Sequence, residues 1–559
     1  MYFIRAIFAG LCVSLFFQVH SSAQNSQKYA QSKIIPLDYR DFERICTLTS
    51  TGIDAHYRLP KEQFNSQAKT AGATANIQVE YIDRPSWPEE AITAFEYAVN
   101  IWESHITSDV PIRIGANWTG LGEFTLGSAG PSQIIQIVQA DPVAWYAIAQ
   151  ASAITGVDYV AQSEGSGNEI EHDIIVNMNS EWDSWYYGTD AQTPDGLIDF
   201  VTVVLHELGH GLGFTGSVRV PEGTTAQWGY GVPLRPIVYD VFVTDGTGVS
   251  ILNESVYPNP SGQLYSAVTG QSNGLRFDGL YSVSSNNGGI VPLYAPFNWR
   301  GGSSYSHLDL DTFTNTVNAL MRPQIGRAFA IHSPGPVTCG IFRDMGWPLA
   351  EDCLNLLDSD SRLVLNNMNI NRIDFGVINV GETIEQTIVV SNDAGVQDPL
   401  VGRVRTTAGN LFTSEIEDEI FTLDPGESLE IPVQFQPALE GKFTGELEIA
   451  YNASEGQNPV VVSLGGEALP ENEVFVLDQN YPNPFNATTT IPYALAQTAD
   501  VRLDVFDALG KHVQTLVDTR QPSGRYNQPF QANNVSSGIF IYRLIVDGRS
   551  KTGKLILVK

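Results

Sequence analysis

The chain has 559 residues, with 31 Lys or Arg against 62 Asp or Glu, which gives a formal net charge of −31 at pH 7. This strongly acidic balance argues against nucleic acid and anionic membrane surfaces as partners. The length predicts several domains, because one domain commonly holds about 100–200 residues.

Residues 1–23 have the pattern of a secretory signal peptide. Arg5 precedes an apolar stretch at residues 6–17, and the small residues at 21–23 follow as a cleavage site. No later stretch reaches the roughly 18 continuous apolar residues that a membrane-spanning helix needs. We therefore expect an exported chain without a transmembrane segment.

Residues 77–350 predict an α+β domain. Residues 24–76, before it, are polar and irregular, which is typical of a pro-region. Residues 77–83 alternate between apolar and polar types like a strand, and residues 87–106 carry apolar side chains at helical spacing. Residues 173–179 predict a further strand, which we expect to pair with an extended substrate through main-chain hydrogen bonds.

The most specific motif of the chain is the H-E-x-x-H pattern of His206, Glu207 and His210. It lies in an apolar stretch from Asp195 to Leu212, which predicts a helix with Asp195 as its N-cap. Two histidines four residues apart lie on one face of a helix and can share a metal ion. The glutamate beside the first histidine is placed to activate a water on that metal. The motif therefore predicts a zinc site with Glu207 as the catalytic residue.

A catalytic zinc needs a third protein ligand, because its fourth position stays open for water and substrate. The residue ten positions after His206 is Gly216, so the compact arrangement with a nearby third histidine is absent. The candidates further along the domain are His307, His332 and the carboxylates Glu254 and Asp240.

The order of these motifs resembles the leishmanolysin-like branch of the metzincins, over about residues 77–350. In that branch a long insertion, here residues 217–306, precedes the third histidine, and a turn that contains methionine follows it. Met321 suits such a turn because Pro323 follows it, whereas Met345 lies in a stretch that predicts a helix. The resemblance implies a zincin fold, His307 as the third ligand, and Met321 as an apolar floor beneath the imidazoles.

The expected reaction is hydrolysis of peptide bonds. Zinc lowers the pKa of its bound water toward about 7, and Glu207 accepts the proton as that water attacks a carbonyl. Glu207 then returns the proton to the leaving amine. Tyr305 and His332 are candidates to stabilise the oxyanion. Calcium is a further candidate ion, although the sequence has neither an EF-hand nor an RTX repeat.

The insertion and the cysteines leave alternatives open. Residues 217–306 are rich in Gly, Ser, Asn and Tyr, and they either border the cleft and set specificity or form a spacer hairpin. Cys339 and Cys353 are the nearest cysteine pair and predict a disulfide in an exported protein. Cys46 is a free thiol, a disulfide partner of one of these two, or a pro-region thiolate that occupies the open position of the metal.

Residues 364–470 predict an immunoglobulin-like β-sandwich. Short strands, such as residues 385–390, alternate with turn signals about every ten residues. The segment is similar to the Ig-like modules of cilia-associated and bacterial surface proteins. It contains no histidine and no cysteine, so we expect a spacer.

Residues 472–559 predict a second small β-sandwich, with alternating strands and turns of Asn, Pro and Gly. They resemble the C-terminal sorting domain of the type IX secretion system through motifs at residues 480–486, 501–510, 536–544 and 554–559. The resemblance implies that the type IX machinery carries the chain across an outer membrane. The product is then released or attached to the cell surface.

Taken together, the sequence predicts a multidomain chain in which an α+β, metzincin-like catalytic domain precedes two all-β sandwich domains. The predicted function is that of a secreted zinc endopeptidase that acts on proteins or peptides. The alternatives are a cell-surface adhesin or binding protein with a vestigial metal site, and a zinc hydrolase of non-peptide substrates. The intact Glu207 favours catalysis, because a structural zinc needs no general base.

Overall fold

The computed structural model describes residues 33–35, 47–57, 75–137, 140, 142–167, 169–365, 372–453, 458–533 and 535–559. The predicted signal peptide, Cys46 and most of the predicted pro-region lie outside these residues. The chain divides into two compact units, Met1–Ser359 and Asp360–Lys559. Within the described part of the chain, no helix has both the length and the apolar character needed to cross a membrane.

The first unit combines strands and helices. Its strands are β1 (Lys33–Ile35), β2 (Thr47–Asp54), β3 (Ile77–Tyr81), β4 (Ile112–Thr119), β5 (Thr125–Pro131), β6 (Ile134–Gln136), β7 (Trp145–Ala147), β8 (Ile174–Asn179), β9 (Trp185–Tyr186), β10 (Ile198–Asp199), β11 (Arg219–Glu222), β12 (Thr225–Gln227), β13 (Val243–Asp245), β14 (Leu275–Phe277), β15 (Val291–Pro292) and β16 (Gln324–Arg327). Its helices are α1 (Glu89–His105), α2 (Ile148–Thr155), α3 (Tyr159–Ser163), α4 (Phe200–Gly211), α5 (Val238–Val241), α6 (Gly262–Val268), α7 (Leu280–Ser285), α8 (Leu310–Phe313), α9 (Pro336–Asp344) and α10 (Glu351–Leu356), and a short 3-10 helix spans Arg84–Ser86.

A six-stranded mixed sheet with the order β16-β2-β5-β8-β4-β3 organises this unit. β3, β4 and β8 run parallel, and β5 is antiparallel to β8 on its other side. The prediction that residues 173–179 pair with a substrate is therefore wrong. Both edges of β8 are already hydrogen-bonded to neighbouring strands, so no edge remains for another chain.

Helix α4 is fixed from several sides, and every one of its residues is buried. The indole of Trp102, on α1, donates to the carbonyl of Leu205 at 3.0 Å, and the indole of Trp347 donates to that of Leu212 at 2.9 Å. Gly211 allows close approach to β8, since a Cβ there would overlap the side chain of Ile174. The helix that carries the H-E-x-x-H motif is thus a rigid part of the core.

The N-terminus of α4 differs from the prediction. The helix begins at Phe200 with Asp199 as N-cap, and the carboxylate of Asp199 accepts from the N–H of Thr202 at 2.7 Å. Upstream, Gly196 has a φ of +80°, and β10 pairs in parallel with β9. Asp195 is therefore not the N-cap, because a left-handed glycine and a short strand separate it from the helix.

The insertion, residues 217–306, is folded into the first unit. It contains α5 to α7 and a small sheet of order β13-β14-β15. Its side chains Tyr239 and Phe277 belong to the same hydrophobic core as α4. The spacer-hairpin alternative is therefore wrong, since a spacer would not share the core of the domain.

The predicted disulfide is confirmed. Cys339, in α9, and Cys353, in α10, are bonded, with their Cα atoms 5.5 Å apart. Neither is therefore a partner for Cys46, which lies outside the described residues.

The described residues of the second unit form strands, apart from a short 3-10 helix at Gly409–Leu411. The strands of its first half are β17 (Leu363–Leu365), β18 (Arg372–Asn379), β19 (Ile384–Asn392), β20 (Leu400–Thr406), β21 (Phe412–Ser414), β22 (Ile420–Leu423), β23 (Ser428–Phe435), β24 (Gly441–Tyr451) and β25 (Val460–Leu469). Those of its second half are β26 (Phe475–Leu477), β27 (Thr488–Leu495), β28 (Ala499–Asp507), β29 (His512–Gln521), β30 (Gly524–Gln531), β31 (Gly538–Val546) and β32 (Arg549–Leu557).

These strands form two sandwiches, as the sequence predicts. The first packs the sheet β17-β19-β23-β21 against β18-β25-β24-β20-β22, and the second packs β26-β27-β30 against β29-β28-β31-β32. Each sandwich has its own hydrophobic core, which contains Phe412 and Phe435 in the first and Tyr493 and Tyr542 in the second. The chain is therefore multidomain, and its second unit is built of β-sandwiches.

Arg525, on β30, links the two sandwiches. Its Nε donates to the carboxylate of Glu467, on β25, at 2.8 Å, and two further N–H groups pair with Glu467 and Asp478. A small apolar cluster at the joint contains Val377, Leu469 and Ala494. The guanidinium thus neutralises two carboxylates that would otherwise repel each other.

We expect the substitution Arg525→Ala to loosen this joint. Limited proteolysis between Leu469 and Phe475 should become about fivefold faster, the factor that corresponds to about 1 kcal/mol for a partly exposed ion pair. Arg520→Ala is the matched control, because Arg520 pairs with Asp500 at 3.8 Å and both side chains are largely exposed. Equal proteolysis rates for the two variants would contradict the assigned role of Arg525.

Candidate metal centre

Three imidazoles converge inside the first unit. The Nε2 atoms of His206 and His210 are 3.0 Å apart, those of His210 and His307 are 3.2 Å apart, and those of His206 and His307 are 3.3 Å apart. Two nitrogens bound tetrahedrally to one zinc, at about 2.0–2.1 Å each, lie about 3.3 Å from each other. The triangle of Nε2 atoms therefore has the size that one zinc ion requires.

Backbone carbonyls orient all three rings. The Nδ1 atoms of His206, His210 and His307 lie 2.7, 2.7 and 2.8 Å from the carbonyl oxygens of Leu320, Phe214 and Ser303. A ring that donates from Nδ1 keeps a lone pair on Nε2. Three such lone pairs face one another here, and they cannot hydrogen-bond among themselves. The arrangement fits a cation bound between them.

Burial keeps the three imidazoles neutral. It lowers the pKa of His206 to about 4, and it lowers the pKa values of His210 and His307 well below the ordinary value for histidine. All three side chains have 0 % exposure. The neutral ring is the form that coordinates a metal.

The carboxylate of Glu207 is fully buried beside this cluster. Neither of its oxygens has a hydrogen-bond partner among the described residues, and Gly127, on β5, packs against it. Burial raises the pKa of Glu207 well above its ordinary value, and the nearby backbone N–H groups of Leu48 and Ala129, which lie outside hydrogen-bond geometry, oppose this only in part. A buried, unpartnered carboxylate is costly, so it marks a place for a polar ligand that the protein does not supply.

Met321 lies in a turn between α8 and β16, and its side chain is fully buried. Its Sδ packs against Gly209, the helical position between the two histidines of α4, where a Cβ would come within 2.9 Å of the sulfur. The carbonyl of Leu320 orients His206, and that of Met321 accepts from the N–H of Leu308 at 2.8 Å. The turn therefore connects α4 with the segment of the third histidine.

The other candidate ligands lie elsewhere. Among the described residues, the group with metal-ligand geometry consists of His206, His210 and His307. His332 instead pairs with Asp199, the N-cap of α4, at 2.8 Å, and both side chains are fully buried. Glu254 is exposed to solvent. Of the two candidates for the oxyanion, His332 is bound to Asp199, and the hydroxyl of Tyr305 donates to Asp240 at 2.8 Å.

Asp240 has a role that the sequence did not reveal. Its buried carboxylate accepts from the N–H and the hydroxyl of Ser217, from the N–H of Ile237 and from the hydroxyl of Tyr305. Ser217, Ile237 and Tyr305 are 23, 3 and 65 residues away from Asp240 in the chain. Asp240 thus connects Ser217, at the start of the insertion, with Tyr305, near its end. A sequence pattern could have shown only that one acidic residue stands in an apolar stretch.

Tyr305 connects Asp240 with the candidate metal centre. It stands two residues before His307 and has a φ of +79°, a left-handed conformation that costs a residue other than glycine about 1–2 kcal/mol. The hydrogen bond to Asp240 holds its side chain, and the hydroxyl of Tyr239 donates to its carbonyl at 3.1 Å. Asp240 is therefore a positioning residue for the loop that presents His307.

Family models match three parts of the chain. A model described as a HYDIN/CFA65/VesB-like, Ig-like domain matches residues 366–467, and the secretion system C-terminal sorting domain matches residues 479–559. A third model, described as SPBPB7E8-like, matches residues 40–263. No curated protein matches the chain. The sorting domain means that the chain is exported by the type IX machinery, with which it interacts, to the cell surface or the extracellular space.

Solved structures are similar to parts of the chain. The VesB protease of Vibrio cholerae is 14% identical over 19% of this chain and 32% of that chain, with a TM-score of 0.15. Dimeric latent PorU from Porphyromonas gingivalis is 17% identical over 35% of this chain and 20% of that chain, with a TM-score of 0.15. The ASH / PapD-like domain of human CEP192 is 10% identical over 21% of this chain and 89% of that chain, with a TM-score of 0.17. Likenesses of this size carry no argument about function.

The substitution Asp240→Asn should weaken zinc binding by about 10–100-fold, the usual effect of losing a group that orients a ligand. The amide nitrogen of asparagine cannot accept hydrogen bonds, so two of the four donors lose their partner. Zinc affinity measured by competition with a chelator checks this. Glu254→Gln, an exposed change in the same insertion, is the control, and equal affinities in the two variants would exclude the positioning role.

The substitutions His307→Ala and His332→Ala should separate the two histidines by function. Removing His307 takes away a converging Nε2, so zinc content should fall. Removing His332 takes one hydrogen-bond partner from the buried carboxylate of Asp199, which keeps its bonds to Thr193 and Thr202, so the melting temperature should fall while one zinc per chain remains. Zinc analysis of the purified variants and thermal unfolding measure both effects. A zinc-free His332→Ala variant that is still folded would restore His332 as a ligand.

Proposed function

We propose that the chain is a secreted zinc-dependent endopeptidase with a metzincin-like catalytic domain. The observation that carries the proposal is the triangle of Nε2 atoms from His206, His210 and His307, with the unpartnered carboxylate of Glu207 beside it. Three protein ligands leave one coordination position for a reactant, which is the composition of a catalytic zinc site.

Four residues of the chain would act at the site, three as metal ligands and one as a general base. His206, His210 and His307 would hold the zinc through Nε2, with their rings kept in place by backbone carbonyls. A bound zinc supplies Lewis acidity toward water and toward the substrate carbonyl. Glu207 accepts the proton of the attacking water and delivers it to the leaving amine nitrogen.

The packing around the site supports these roles. Bulk water is excluded from the four residues, which are all fully buried, so charges act on one another more strongly there than in solution. Met321, packed against Gly209, keeps the floor of the site apolar. No side chain among the described residues competes with a reactant for the carboxylate of Glu207.

The alternatives fit the same residues less well. A vestigial or structural zinc site is closed by four protein ligands, whereas the described residues offer three. The free carboxylate of Glu207 also has no purpose in an adhesin. A hydrolase of non-peptide substrates would use the same centre, and the choice of substrate distinguishes it from a peptidase.

The substitution Glu207→Gln tests the proposal directly. Glutamine keeps the shape of glutamate but cannot accept the proton, so hydrolysis of a mixed, unfolded protein substrate should fall by about 10²-fold or more. Zinc content should not change, since Glu207 is not a ligand. Both proteins are assayed as isolated and after limited proteolysis of the N-terminal segment. If the zinc-loaded wild type cleaves esters or other small substrates but no peptide bond, the peptidase proposal is wrong.

A further inference from the structure

Arg322 carries a buried guanidinium beside the candidate metal centre. It stands in the same turn as Leu320, whose carbonyl orients His206, and Met321, which packs against Gly209 of α4. The residue is only 6 % exposed. Burial lowers the pKa of Arg322 to about 10, so the group still carries its positive charge at neutral pH. The turn that supports the first metal ligand thus also holds a fixed cation.

The described residues supply no anion for this cation. Its Nε donates to the carbonyl of Ala319 at 3.1 Å, and its Nη1 donates to the hydroxyl of Thr314 at 2.7 Å. Its Cζ lies 5.1 Å from the ring centre of Phe329. All three partners are neutral. A buried charge without a counter-ion is unfavourable, and an apolar side chain of similar volume would fill the same space more favourably.

The missing anion does not reflect a shortage of carboxylates. The chain has 62 Asp or Glu against 31 Lys or Arg. In the first unit, Arg113 pairs with Asp158 at 2.8 Å, and Arg276 pairs with Asp278 at 3.2 Å. Arg322 is more deeply buried than either of these arginines and has no such partner among the described residues. Its surroundings therefore suit an anion that comes from outside the chain.

Two hydrogen-bond donors at this place have no acceptor among the described residues. One is the Nη2 group of Arg322, which takes part in neither hydrogen bond of the guanidinium. The other is the hydroxyl of Tyr57, whose pKa is raised by burial and lowered by the nearby charge of Arg322. The ring of Tyr57 stacks on Phe329 with the ring centres 5.7 Å apart. A guanidinium with a hydroxyl beside it is a typical pair of donors for a carboxylate.

This place is open to solvent on one side. Thr314, which accepts from the guanidinium, is exposed, and Tyr57 is only half-buried. A carboxylate could therefore reach the two donors from outside. It would lie near the turn that orients His206, and so on the same side of the unit as the group that a zinc would activate.

We propose that Arg322 binds a carboxylate of the polypeptide substrate and makes the chain selective for substrates with an acidic group at one fixed distance from the cleaved bond. The inference deepens the proposed zinc-peptidase function and rests on it. The carboxylate belongs either to an Asp or Glu side chain or to the C-terminus of the substrate. Arg322 is a specificity residue that contacts the substrate, and the metal ligands remain the three histidines.

The first test measures binding without hydrolysis. It uses the full, zinc-loaded chain with the substitution Glu207→Gln, and short labelled neutral peptides in which a single glutamate stands at each position in turn. At one position, glutamate should bind at least about tenfold more tightly than glutamine, the usual effect of a charge-assisted hydrogen bond. The same peptides with a free or an amidated C-terminus distinguish a terminal carboxylate from a side chain.

Variants of the two donors assign the preference to this place. Arg322→Met should abolish it, so that glutamate and glutamine peptides bind equally well. Arg322→Lys keeps the charge but loses the planar donors, and should retain part of the preference. Tyr57→Phe removes one neutral donor and should reduce the preference about threefold. Arg343→Met is the matched control, because Arg343 also lies over a ring, that of Tyr281 at 3.8 Å, and it should keep the full preference.

Thermal unfolding separates substrate binding from a structural role. If Arg322 only supported the fold, Arg322→Met would lower the melting temperature and leave the preference for glutamate unchanged. We expect the reverse: the preference is lost, while the melting temperature stays equal or rises because an uncompensated buried charge has been removed. If Arg322→Met does not fold, Arg322→Lys and the comparison of glutamate with glutamine at an intact Arg322 carry the test.

The outcomes separate this proposal from the proposed function. Tighter binding of one glutamate or free-carboxylate peptide, together with faster hydrolysis of it by the chain with Glu207, supports both. The same binding preference, lost in Arg322→Met but without hydrolysis of any peptide, supports the carboxylate site and overturns the peptidase. Equal binding of all glutamate, glutamine, free and amidated peptides overturns the carboxylate site, whether or not they are hydrolysed. A preference that survives Arg322→Met overturns it as well.

Discussion

The arrangement of the three imidazoles depends on three hydrogen bonds from their Nδ1 atoms to backbone carbonyls. The carbonyls belong to the turn after α4, the turn before β16 and the loop that ends the insertion, at Phe214, Leu320 and Ser303. Each of these segments must be folded before its histidine is oriented. The candidate metal centre is therefore a consequence of the packing of the whole unit, which includes α4, a helix that is buried along its length.

The candidate metal centre contains unfavourable contacts that a bound cation would relieve. Three Nε2 lone pairs face one another within 3.0–3.3 Å, and the carboxylate of Glu207 has no hydrogen-bond partner among the described residues. Tyr305 adds a left-handed backbone close to His307, held by Asp240. Such features persist only when the surroundings over-determine them, and they concentrate at functional sites. They fit a unit whose stability rises when a cation binds.

The export signal and the candidate metal centre lie in different units. The second unit carries the Ig-like and sorting sandwiches, and the sorting domain delivers the chain through the type IX machinery. The first unit holds the candidate metal centre. An acidic surface, from a net charge of −31, keeps such a chain soluble during transport.

The sequence by itself determined the features that depend on short spacings. His206 and His210 meet because a helix brings positions four residues apart onto one face, and the alternating strands of both sandwiches follow from their two-residue period. His307 lies 97 residues from His210, and only a family resemblance pointed to it. The tertiary structure alone decided the start of α4, the internal position of β8, the role of Asp240 and the pairing of β2 with β5. Each of these rests on a strand pairing or a hydrogen bond between distant segments, and local periodicity contains no information about such partners.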